Sequence, residues 1–249
     1  MRYLWDMHYE YLKSAGRLTR LVFPIFAHWL RVWDRASADR VDAFIANSTF
    51  VASRLRKFYR REAQVVFPPV DTMNFSHTRA RDDFYLLLGQ LVPYKRPDLA
   101  IEAFNRMGLP LVVIGEGKLL RDLRTTAGPN IKLLGRQPFD VVKDHMERCK
   151  ALVFPGVEDF GIVPVEAMAA GAPVIAYGRG GVLDTVIDGE TGVLFSAQTS
   201  SALESAVLRI ERGLASFDRE ALRSRALEFD KSVFMRNIAD AIRRAQVSS

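Results

Sequence analysis

The sequence of 249 residues contains a single cysteine, Cys149, and only four histidines. One cysteine cannot form a disulfide within the chain, so a disulfide scaffold is excluded and a reduced, buried thiol is expected. The histidines show no metal-ligand spacing and the cysteine has no partner, so a zinc site of the Cys/His kind is not indicated. The Gly-x4-Gly-Lys-Ser/Thr loop of the P-loop NTPases is also absent, which argues against that class of nucleotide hydrolase.

No segment of the sequence is apolar over the length of a membrane span. The most apolar early segment, Leu21–Leu30, contains Pro24 and is flanked by Arg20 and Arg31. About 20 apolar residues are needed to cross a bilayer as a helix, so this segment predicts no transmembrane helix. Because no small-residue cleavage site follows it, the segment is not interpreted as a signal peptide, and a cytoplasmic protein is expected.

Charge is distributed unevenly along the chain, whose formal net charge is +6. Residues 1–61 carry 12 Lys or Arg against 5 Asp or Glu, whereas the remaining residues carry 23 against 24. A basic segment joined to a neutral body is typical of proteins with an anionic partner, such as the inner face of a membrane. Solvated charge on helices is the equal alternative. Since no motif combines aromatic and basic residues, a nucleic-acid partner is not expected.

The first 75 residues predict helices with only two short strands. Apolar residues recur at helical spacing over the first 40 residues, with a kink or break expected at Pro24. Ser48 is placed to cap the second helix. The later elements expected in this part are a strand at Val41–Ala46, a helix at Phe50–Tyr59 and a strand at Gln64–Phe67. Pro68-Pro69 then ends regular structure, and a domain boundary is expected in the polar stretch up to Asp83.

After residue 83, short apolar strands alternate regularly with helices. Continuously apolar strands are buried on both faces, so the pattern predicts an α/β protein with a doubly wound parallel sheet. Such sheets bind ligands at the carboxyl ends of their strands. The expected strands are Phe84–Leu88, Leu111–Ile114, Ile131–Leu134, Ala151–Phe154, Val174–Tyr177 and Val193–Phe195. The expected helices are Pro97–Met107, Leu119–Thr126, Phe139–Arg148, Val163–Ala170, Gly181–Ile187, Ser200–Arg212, 218–228 and 231–245.

The strongest motif follows the fourth of these strands and reads Pro155-Gly-Val-Glu-Asp-Phe-Gly-Ile-Val-Pro-Val-Glu-Ala-Met-Ala-Ala-Gly-Ala-Pro-Val174. Gly161 allows close approach of the backbone where a helix begins, and the unpaired N–H groups there form a natural cradle for a diphosphate. Glu166 lies inside that helix. Its side chain leans toward the helix N-terminus, within reach of a sugar hydroxyl beside the phosphates.

This string resembles the retaining glycosyltransferases of family 4, also called group 1, and the rest of the chain is similar to their mannosyltransferase-like subgroup. The family hallmark is a Glu-x7-Glu pair around Phe-Gly and Glu-Ala-Met-Ala, which Glu158 and Glu166 match. The resemblance implies a fold of the GT-B type, with two Rossmann domains. It also implies that Glu158 lies near the transferred sugar and that Glu166 holds the ribose hydroxyls. Two unrelated surface carboxylates are the weaker alternative, because the full string is specific.

A second motif, Leu88-Gly-Gln-Leu-Val-Pro-Tyr-Lys-Arg-Pro-Asp-Leu99, follows the first strand of the sheet. A lysine in a strand-to-helix loop is placed to meet a phosphate. In the family this loop carries an arginine and a lysine that both bind the diphosphate. Lys95 matches that lysine, whereas the uncharged Gln90 stands where the arginine is usual. Weaker phosphate binding is therefore expected unless Arg96 substitutes, and an ordinary surface lysine is the alternative for Lys95.

Three glycine-containing turns, at residues 115–117, 133–136 and 178–184, fit the family pattern less specifically, and plain strand-end turns are their alternative. Gly115 and Gly117 form a Gly-x-Gly turn that is expected to line the nucleotide pocket. A turn at 178–184 carries Asp184 where the family usually has Glu. The resemblance implies Glu158 and Lys95 as catalytic residues and the following donor-binding residues: Gly89, Gln90, Lys95, Arg96, Gly115, Gly117, Leu134, Gly135, Arg136, Glu158, Phe160, Gly161, Ile162, Val163 and Glu166.

The resemblance begins inside the family's N-terminal domain. Met1–Asp6 is similar to an internal segment of the subgroup. Residues 1–75 are therefore expected to be the remnant of an acceptor-side domain, and residues 76–228 the nucleotide-sugar-binding domain. Residues 229–249 are expected to form a helix that packs back toward the first domain. Two short strands are too few for a sheet core, so the first domain is expected to expose apolar helix faces.

The resemblance implies transfer of a hexose, mannose in the matched subgroup, from a nucleoside-diphosphate sugar to a glycan or lipid-linked acceptor, with retention of configuration. No cofactor or metal is expected, and no Asp-x-Asp motif is present. Two alternatives remain open. One is a non-catalytic or split nucleotide-sugar-binding module that partners a separate N-terminal chain, and the other is a sugar-nucleotide epimerase on the same double fold.

Overall fold

A computed structural model of the chain describes Trp5 and residues 17–248. The segment Met1–Asp6, apart from Trp5, and the first part of the predicted N-terminal helix lie outside the described residues. The described N-terminal elements are α1 (Arg17–Ala38), β1 (Ile45–Ala46), α2 (Thr49–Tyr59) and β2 (Gln64–Val65). β1 and β2 pair in parallel as a two-stranded sheet. The Ser48 side chain accepts a hydrogen bond from the Val51 N–H, which confirms the predicted cap of α2.

Two expectations for the N-terminal segment are wrong. First, α1 is not broken at Pro24 but continues through it, and Pro24 is exposed, where water can satisfy the carbonyl that the missing N–H leaves unpaired. Second, both strands have only two residues. Val41 belongs to the turn that ends α1, where its N–H donates to the Ala38 carbonyl. Phe67 leaves β2 to pack on aromatic rings of the larger domain, with 5.7 Å between its ring centroid and that of Phe160.

The rest of the chain forms the expected parallel sheet. Its six strands are β3 (Tyr85–Leu88), β4 (Leu111–Ile114), β5 (Ile131–Gly135), β6 (Ala151–Phe154), β7 (Val174–Tyr177) and β8 (Gly192–Phe195). The connecting and following helices are α3 (Pro97–Met107), α4 (Leu120–Thr126), α5 (Phe139–Arg148), α6 (Ile162–Ala169), α7 (Val182–Thr185), α8 (Ser200–Glu211), α9 (Arg219–Leu227) and α10 (Lys231–Ser248). The strands lie in the order β5-β4-β3-β6-β7-β8, and all neighbouring pairs are parallel.

Alternate side chains of the strands build two separate cores, one on each face of the sheet. Leu86 and Leu152 belong to one core, together with residues of α5, α6 and α9. Leu87 and Val153, their neighbours along the same strands, belong to the other core with residues of α3, α4 and α8. Because successive side chains of a strand point to opposite faces, strands that are apolar throughout are covered on both sides. The domain is therefore a helix–sheet–helix sandwich, as expected.

The stretch between the two predicted domains is packed against the larger one. Val70 and Phe75 are buried in the core on the α6 side of the sheet. The Val70 backbone forms a parallel bridge with Asp230, and the Thr72 hydroxyl donates to the Asp230 carboxylate over 2.7 Å. These contacts join the predicted boundary to the start of α10. The division at residues 75 and 228 stays a prediction.

Two further expectations concern burial and membranes. Cys149 is a free, fully buried cysteine, as expected, and burial raises the pKa of its thiol to about 12. Among the described helices, none combines the length and the apolar character that crossing a bilayer would require.

Candidate functional site

The candidate site lies where the chain reverses direction across the sheet. From β3 the chain runs through β4 and β5 on one side, and it then returns to β6, β7 and β8 on the other side. The loops that leave the carboxyl ends of β3 and β6 therefore diverge, and such a switch point is where doubly wound sheets form a ligand crevice. A cleft of about 290 Å³ opens at this position. The structure brings four of the predicted residues together in its lining: Gly89, Gln90, Lys95 and Glu158.

Lys95 and Glu158 face each other in the cleft. The Lys95 Nζ atom is 2.7 Å from Glu158 Oε1, and each side chain is about one-fifth exposed, at 22% and 21%. Lys95 ends a 3-10 turn, Pro93–Lys95, that packs against the end of β6. A Cβ on Gly156 would lie 2.7 Å from Lys95 Cα, so only glycine allows this approach. Gly156 was not among the predicted site residues, and its only sequence signal is its place in the motif two residues after the buried strand β6.

Gly89 and Gly115 set the strand ends beside the cleft. The Gly89 N–H donates to the Ile114 carbonyl, and the Gly115 N–H donates to the Gly135 carbonyl. A Cβ on Gly115 would lie 1.8 Å from the Gly89 carbonyl oxygen, and its φ of +148° is one that other residues rarely adopt. Gly117 packs in the same manner on Leu91. Gly115, Gly117 and Gly135 are thus placed one or two strands away from the cleft, outside its lining, and their contact with a nucleotide stays a prediction.

The remaining predicted residues near β3 and β5 lie outside the cleft lining. Arg96 holds the Asp98 carboxylate through both Nε and Nη2, the latter over 2.8 Å, and is not part of the cleft lining. The substitution of Arg96 for the arginine missing at Gln90 stays a prediction. Arg136 is 81% exposed and lies 3.5 Å from Glu116. The Leu134 carbonyl accepts a hydrogen bond from the Gln137 amide.

The second glutamate of the motif lies in α6, next to the cleft but outside its lining. The helix is apolar and almost fully buried, and Glu166 is its one charged residue. No hydrogen bond or ion pair joins the Glu166 carboxylate to any residue that the structure describes. Burial alone raises the pKa of this carboxyl above its ordinary value. A carboxylate that is desolvated without a partner can accept hydrogen bonds from a ligand.

The loop between β6 and α6 carries the other predicted residues. Phe160 is buried against Phe67 and Phe229, and Gly161 begins α6 with a φ of 90°. Ile162 is 43% exposed and Val163 is partly buried in the core. The N–H groups that start α6 thus lie in the loop that holds Glu158. Helix starts of this kind attract anions.

The glycine turn that precedes α7 contacts the backbone of this loop. The Gly181 N–H donates to the Glu158 carbonyl over 2.9 Å. A Cβ on Gly181 would lie 2.2 Å from the Asp159 carbonyl oxygen, so the two backbones touch. This contact explains why glycine stands at Gly181, which the sequence analysis interpreted as part of a turn without assigning it a role.

The strand order and the cleft at the switch point define the class of the chain as a doubly wound parallel α/β protein. The chain belongs to the family described as "Glycosyl transferases group 1", whose family model matches residues 71–226. The resemblance that the Glu158–Glu166 motif carries is thereby confirmed.

The curated relatives are longer than this chain. An uncharacterised glycosyltransferase of Methanocaldococcus jannaschii is 31% identical over 185 residues, which cover 72% of this chain and 52% of the relative. A protein of Xenopus laevis named GDP-Man:Man(3)GlcNAc(2)-PP-Dol alpha-1,2-mannosyltransferase is 30% identical over 213 residues, which cover 73% and 42%. The chain thus spans about half the length of the curated relatives that it matches.

Solved structures confirm the fold. Sucrose-phosphate synthase from Thermosynechococcus elongatus superposes with a TM-score of 0.76 at 21% identity, over 88% of this chain and 62% of the other. Anabaena HepE, solved in complex with UDP and glucose, superposes with a TM-score of 0.74 at 20% identity, over 86% and 66%. The chain therefore has the GT-B type of α/β fold that was expected, as far as its described residues extend.

Proposed function

We propose that the chain binds a nucleoside-diphosphate sugar in the cleft at the switch point and forms the donor side of a hexosyl transfer. The observation that supports this best is the Lys95–Glu158 pair, which places one cation and one carboxylate across a cleft at the carboxyl ends of β3 and β6. Family membership supports the transferase class. The relatives and neighbours whose names include GDP-mannose or UDP support a nucleotide sugar as the donor.

In this proposal each charged group has one role. The bond between the anomeric carbon and the diphosphate breaks, and its electron pair leaves with the diphosphate. The oxygen of an acceptor hydroxyl forms the new bond to the anomeric carbon, its proton passes to the departing diphosphate, and the family implies retention of configuration. Lys95 and the N–H groups at the start of α6 stabilise the charge that gathers on the diphosphate. To contact the diphosphate, the Lys95 ammonium group moves partly away from the Glu158 carboxylate. That carboxylate is then free to orient the sugar.

Glu166 is proposed to bind the ribose. A carboxylate accepts two hydroxyl hydrogen bonds, and Glu166 has no competing partner among the described residues. Its half-buried position in a helix packed against the sheet restricts the two acceptor atoms in advance, which lowers the entropy lost when a donor binds. No metal ion is assigned a role, and donor affinity is expected to be unchanged in EDTA.

The test of this site is Lys95→Ala, with Lys132→Ala as a matched control. Lys132 is an exposed lysine of β5 outside the cleft lining. A hydrogen bond to a charged group contributes about 1.5–3 kcal/mol, so Lys95→Ala is expected to weaken donor binding roughly 10- to 100-fold. Isothermal titration with GDP and with UDP measures the effect. Equal affinities in Lys95→Ala and Lys132→Ala would exclude Lys95 from the site.

Mannose is proposed as the transferred hexose. Support comes from the relative in Xenopus laevis, whose name specifies GDP-mannose. The match to this chain covers 42% of that protein. Titration with GDP-mannose and with UDP-glucose separates the two donor classes. Tighter binding of UDP-glucose than of GDP-mannose would contradict the mannose assignment.

Transfer is proposed for the chain acting with an acceptor-side domain, which binds a glycan or lipid-linked acceptor. The chain spans about half the length of its relatives. An acceptor-side domain can be supplied to the assay as a separate chain. Product analysis distinguishes the alternatives. A transferase consumes the donor only when acceptor and domain are present, an epimerase changes the donor sugar without acceptor, and a non-catalytic module binds the donor and changes nothing.

We also propose that α1 attaches the chain to an anionic membrane surface. Phe26, Trp29 and Trp33 lie on one face of this helix and are 63%, 69% and 56% exposed. Aromatic side chains on a basic amphipathic helix are typical of segments that lie in the bilayer interface. The basic charge of residues 1–61 favours anionic lipid.

Liposome sedimentation tests the attachment. Binding to vesicles that contain phosphatidylserine or cardiolipin is expected, and Trp29→Ser is expected to reduce it, whereas Leu214→Ser, at an equally exposed leucine far along the chain, is not. Equal sedimentation of wild type and Trp29→Ser would show that this face does not carry the contact.

A further inference from the structure

Helix α2 is tied to the larger domain at two points that flank the loop of Glu158. In its middle, Arg54 Nη1 donates to Asp159 Oδ1 over 2.9 Å. At its start, the Thr49 N–H and hydroxyl donate to the two carboxylate oxygens of Asp184 over 2.8 and 2.5 Å. Asp184 lies in α7, directly after the glycine turn that supports the Glu158 backbone. The N-terminal segment thus contacts both the loop that carries Glu158 and the helix α7 that follows the supporting glycine turn.

The Arg54–Asp159 ion pair is partly shielded from water. The side chains of Arg54 and Asp159 are only 15% and 31% exposed, and the Arg54 guanidinium also lies 5.8 Å from the centre of the Phe50 ring. Exposed ion pairs contribute little because water and salt screen them, whereas the loss of one partner from a shielded pair leaves a poorly solvated charge. Removal of Arg54 is therefore expected to let the Asp159 side chain rotate toward water. Its backbone can move with it.

Asp159 directly follows Glu158, so a movement of Asp159 reaches the cleft. The carboxylate of Glu158 pairs with Lys95 on the cleft side, while the carboxylate of Asp159 pairs with Arg54 on the side of α2. Two neighbouring acidic side chains thus bind cations on opposite sides of one short loop. Together the two ion pairs fix the rotation of the loop about its own axis. Either ion pair alone would leave that rotation free.

We propose that Arg54 is a positioning residue for the donor site. Through Asp159 it sets the conformation of the loop at residues 157–161, so that Glu158 faces Lys95 and the start of α6 faces the cleft. Thr49 and Asp184 hold α2 in register for this contact. The effect on donor affinity rests on the proposed function, whereas the effect on the loop does not.

The experiment uses the whole chain and two readouts. Hydrogen exchange of the backbone amides of residues 157–162, without ligand, reports the loop, and titration with UDP, GDP, UDP-glucose and GDP-mannose reports the donor site. The variants are Arg54→Ala, Arg54→Lys and the charge-swapped double variant Arg54→Asp with Asp159→Arg. Arg106→Ala is the control, because Arg106 forms an ion pair of similar length, 3.1 Å to Glu204, between α3 and α8.

Arg54→Ala is expected to speed exchange at residues 157–162 about tenfold while amides of β4 and β7 exchange as in wild type, and to weaken donor binding by a similar factor. Arg54→Lys and the charge-swapped variant are expected to recover part of both effects, and Arg106→Ala to change neither.

Unchanged exchange in the loop of Arg54→Ala would overturn the proposal, and so would an equal rise across the whole chain, since that would report general destabilisation. If wild type binds none of the four nucleotides, the proposed function fails, but loop exchange still decides whether Arg54 positions the loop.

Discussion

Glu166 is the residue at which the requirements of folding and binding conflict most. It is the one charged side chain of α6, and burial raises the pKa of its carboxyl because nothing in the described chain compensates the charge. An ionised Glu166 therefore opposes folding until a ligand supplies hydrogen bonds. A half-buried carboxylate without a protein partner is frequent at functional sites and rare in a core that serves packing alone.

Replacing Glu166 by glutamine is expected to stabilise the free protein and weaken donor binding. Because the folded-state pKa is raised, the carboxyl opposes folding only as the pH rises from the unfolded value of about 4.3 through the folded value. The Tm of Glu166→Gln should thus exceed that of wild type at about pH 8 and match it at about pH 4. Scanning calorimetry suffices, since 1 kcal/mol moves Tm by roughly 2–4 °C in a chain of this size.

The same variant should bind UDP or GDP more weakly, because an amide offers one acceptor atom where a carboxylate offers two. A lower Tm than wild type at about pH 8 would show that Glu166 has a partner in the free protein. Unchanged nucleotide affinity would remove it from the ribose site.

Gln90 offers a gain-of-affinity test. It lines the cleft at the position where the family usually carries arginine on the diphosphate. A guanidinium there would add a charge-assisted hydrogen bond, so Gln90→Arg is expected to tighten UDP or GDP binding roughly 3- to 10-fold at low salt and less at high salt. Titration at two ionic strengths measures this. An affinity equal to that of wild type at low salt would mean that the diphosphate does not lie beside β3.

At the scale of elements, the loop between β6 and α6 depends on the turn that precedes α7. Gly181→Ala would place a methyl group 2.2 Å from the Asp159 carbonyl oxygen. Overpacking of this kind costs about 1–3 kcal/mol, and the loop rather than the sheet must move. We therefore expect a lower Tm together with lost donor affinity.

Gly178→Ala, in the same turn, is the matched control for Gly181→Ala. Its methyl group would meet its nearest atom, the Phe195 carbonyl oxygen, at 3.5 Å, which is an ordinary contact. Thermal unfolding and titration of the two variants are expected to differ clearly. If both bind the donor as wild type does, the turn does not support the site.

Elements with strong local signals could be predicted closely from the sequence. The ends of α3 and α5 and of β4, β6 and β7 coincide with the expected ones, because a first-turn proline, an ending glycine or the length of an apolar run marks each of them. The grouping of Lys95 with Glu158 was implied by the family resemblance, and its physical cause is that their loops leave the neighbouring parallel strands β3 and β6. The two strands of the N-terminal segment were predicted too long for different reasons: Val41 belongs to the turn that ends α1, and Phe67 packs on aromatic rings of the larger domain.

Contacts between distant segments could not be predicted in this way. Arg54 and Asp159 are 105 positions apart, and Thr49 and Asp184 are 135 apart. Neither pair carries a motif, and periodicity reports only which face of an element is buried. The hydrogen bond from Arg96 to Asp98 was likewise not predicted, because no sequence motif marks it.

At the scale of the whole molecule, excess positive charge and a cluster of exposed aromatic side chains lie in the same part of the chain. The basic segment 1–61 includes α1, which exposes Phe26, Trp29 and Trp33, while the larger domain is nearly neutral and is built around two apolar cores. Donor chemistry and surface attachment are thus assigned to different segments. Helix α2 lies between these segments in the sequence and contacts the larger domain through Arg54 and Thr49.

The most direct test of the central claim is a thermal-shift titration of the chain with GDP, UDP, ADP and their sugar conjugates. A ligand at about 100 times its dissociation constant stabilises the folded state by roughly 2.7 kcal/mol, which is readily measured. The account predicts a concentration-dependent rise in Tm with the nucleotides of one base, and a smaller rise in Lys95→Ala. A chain that unfolds cooperatively and shows no rise with any of these ligands would contradict the assignment of the cleft as a donor site.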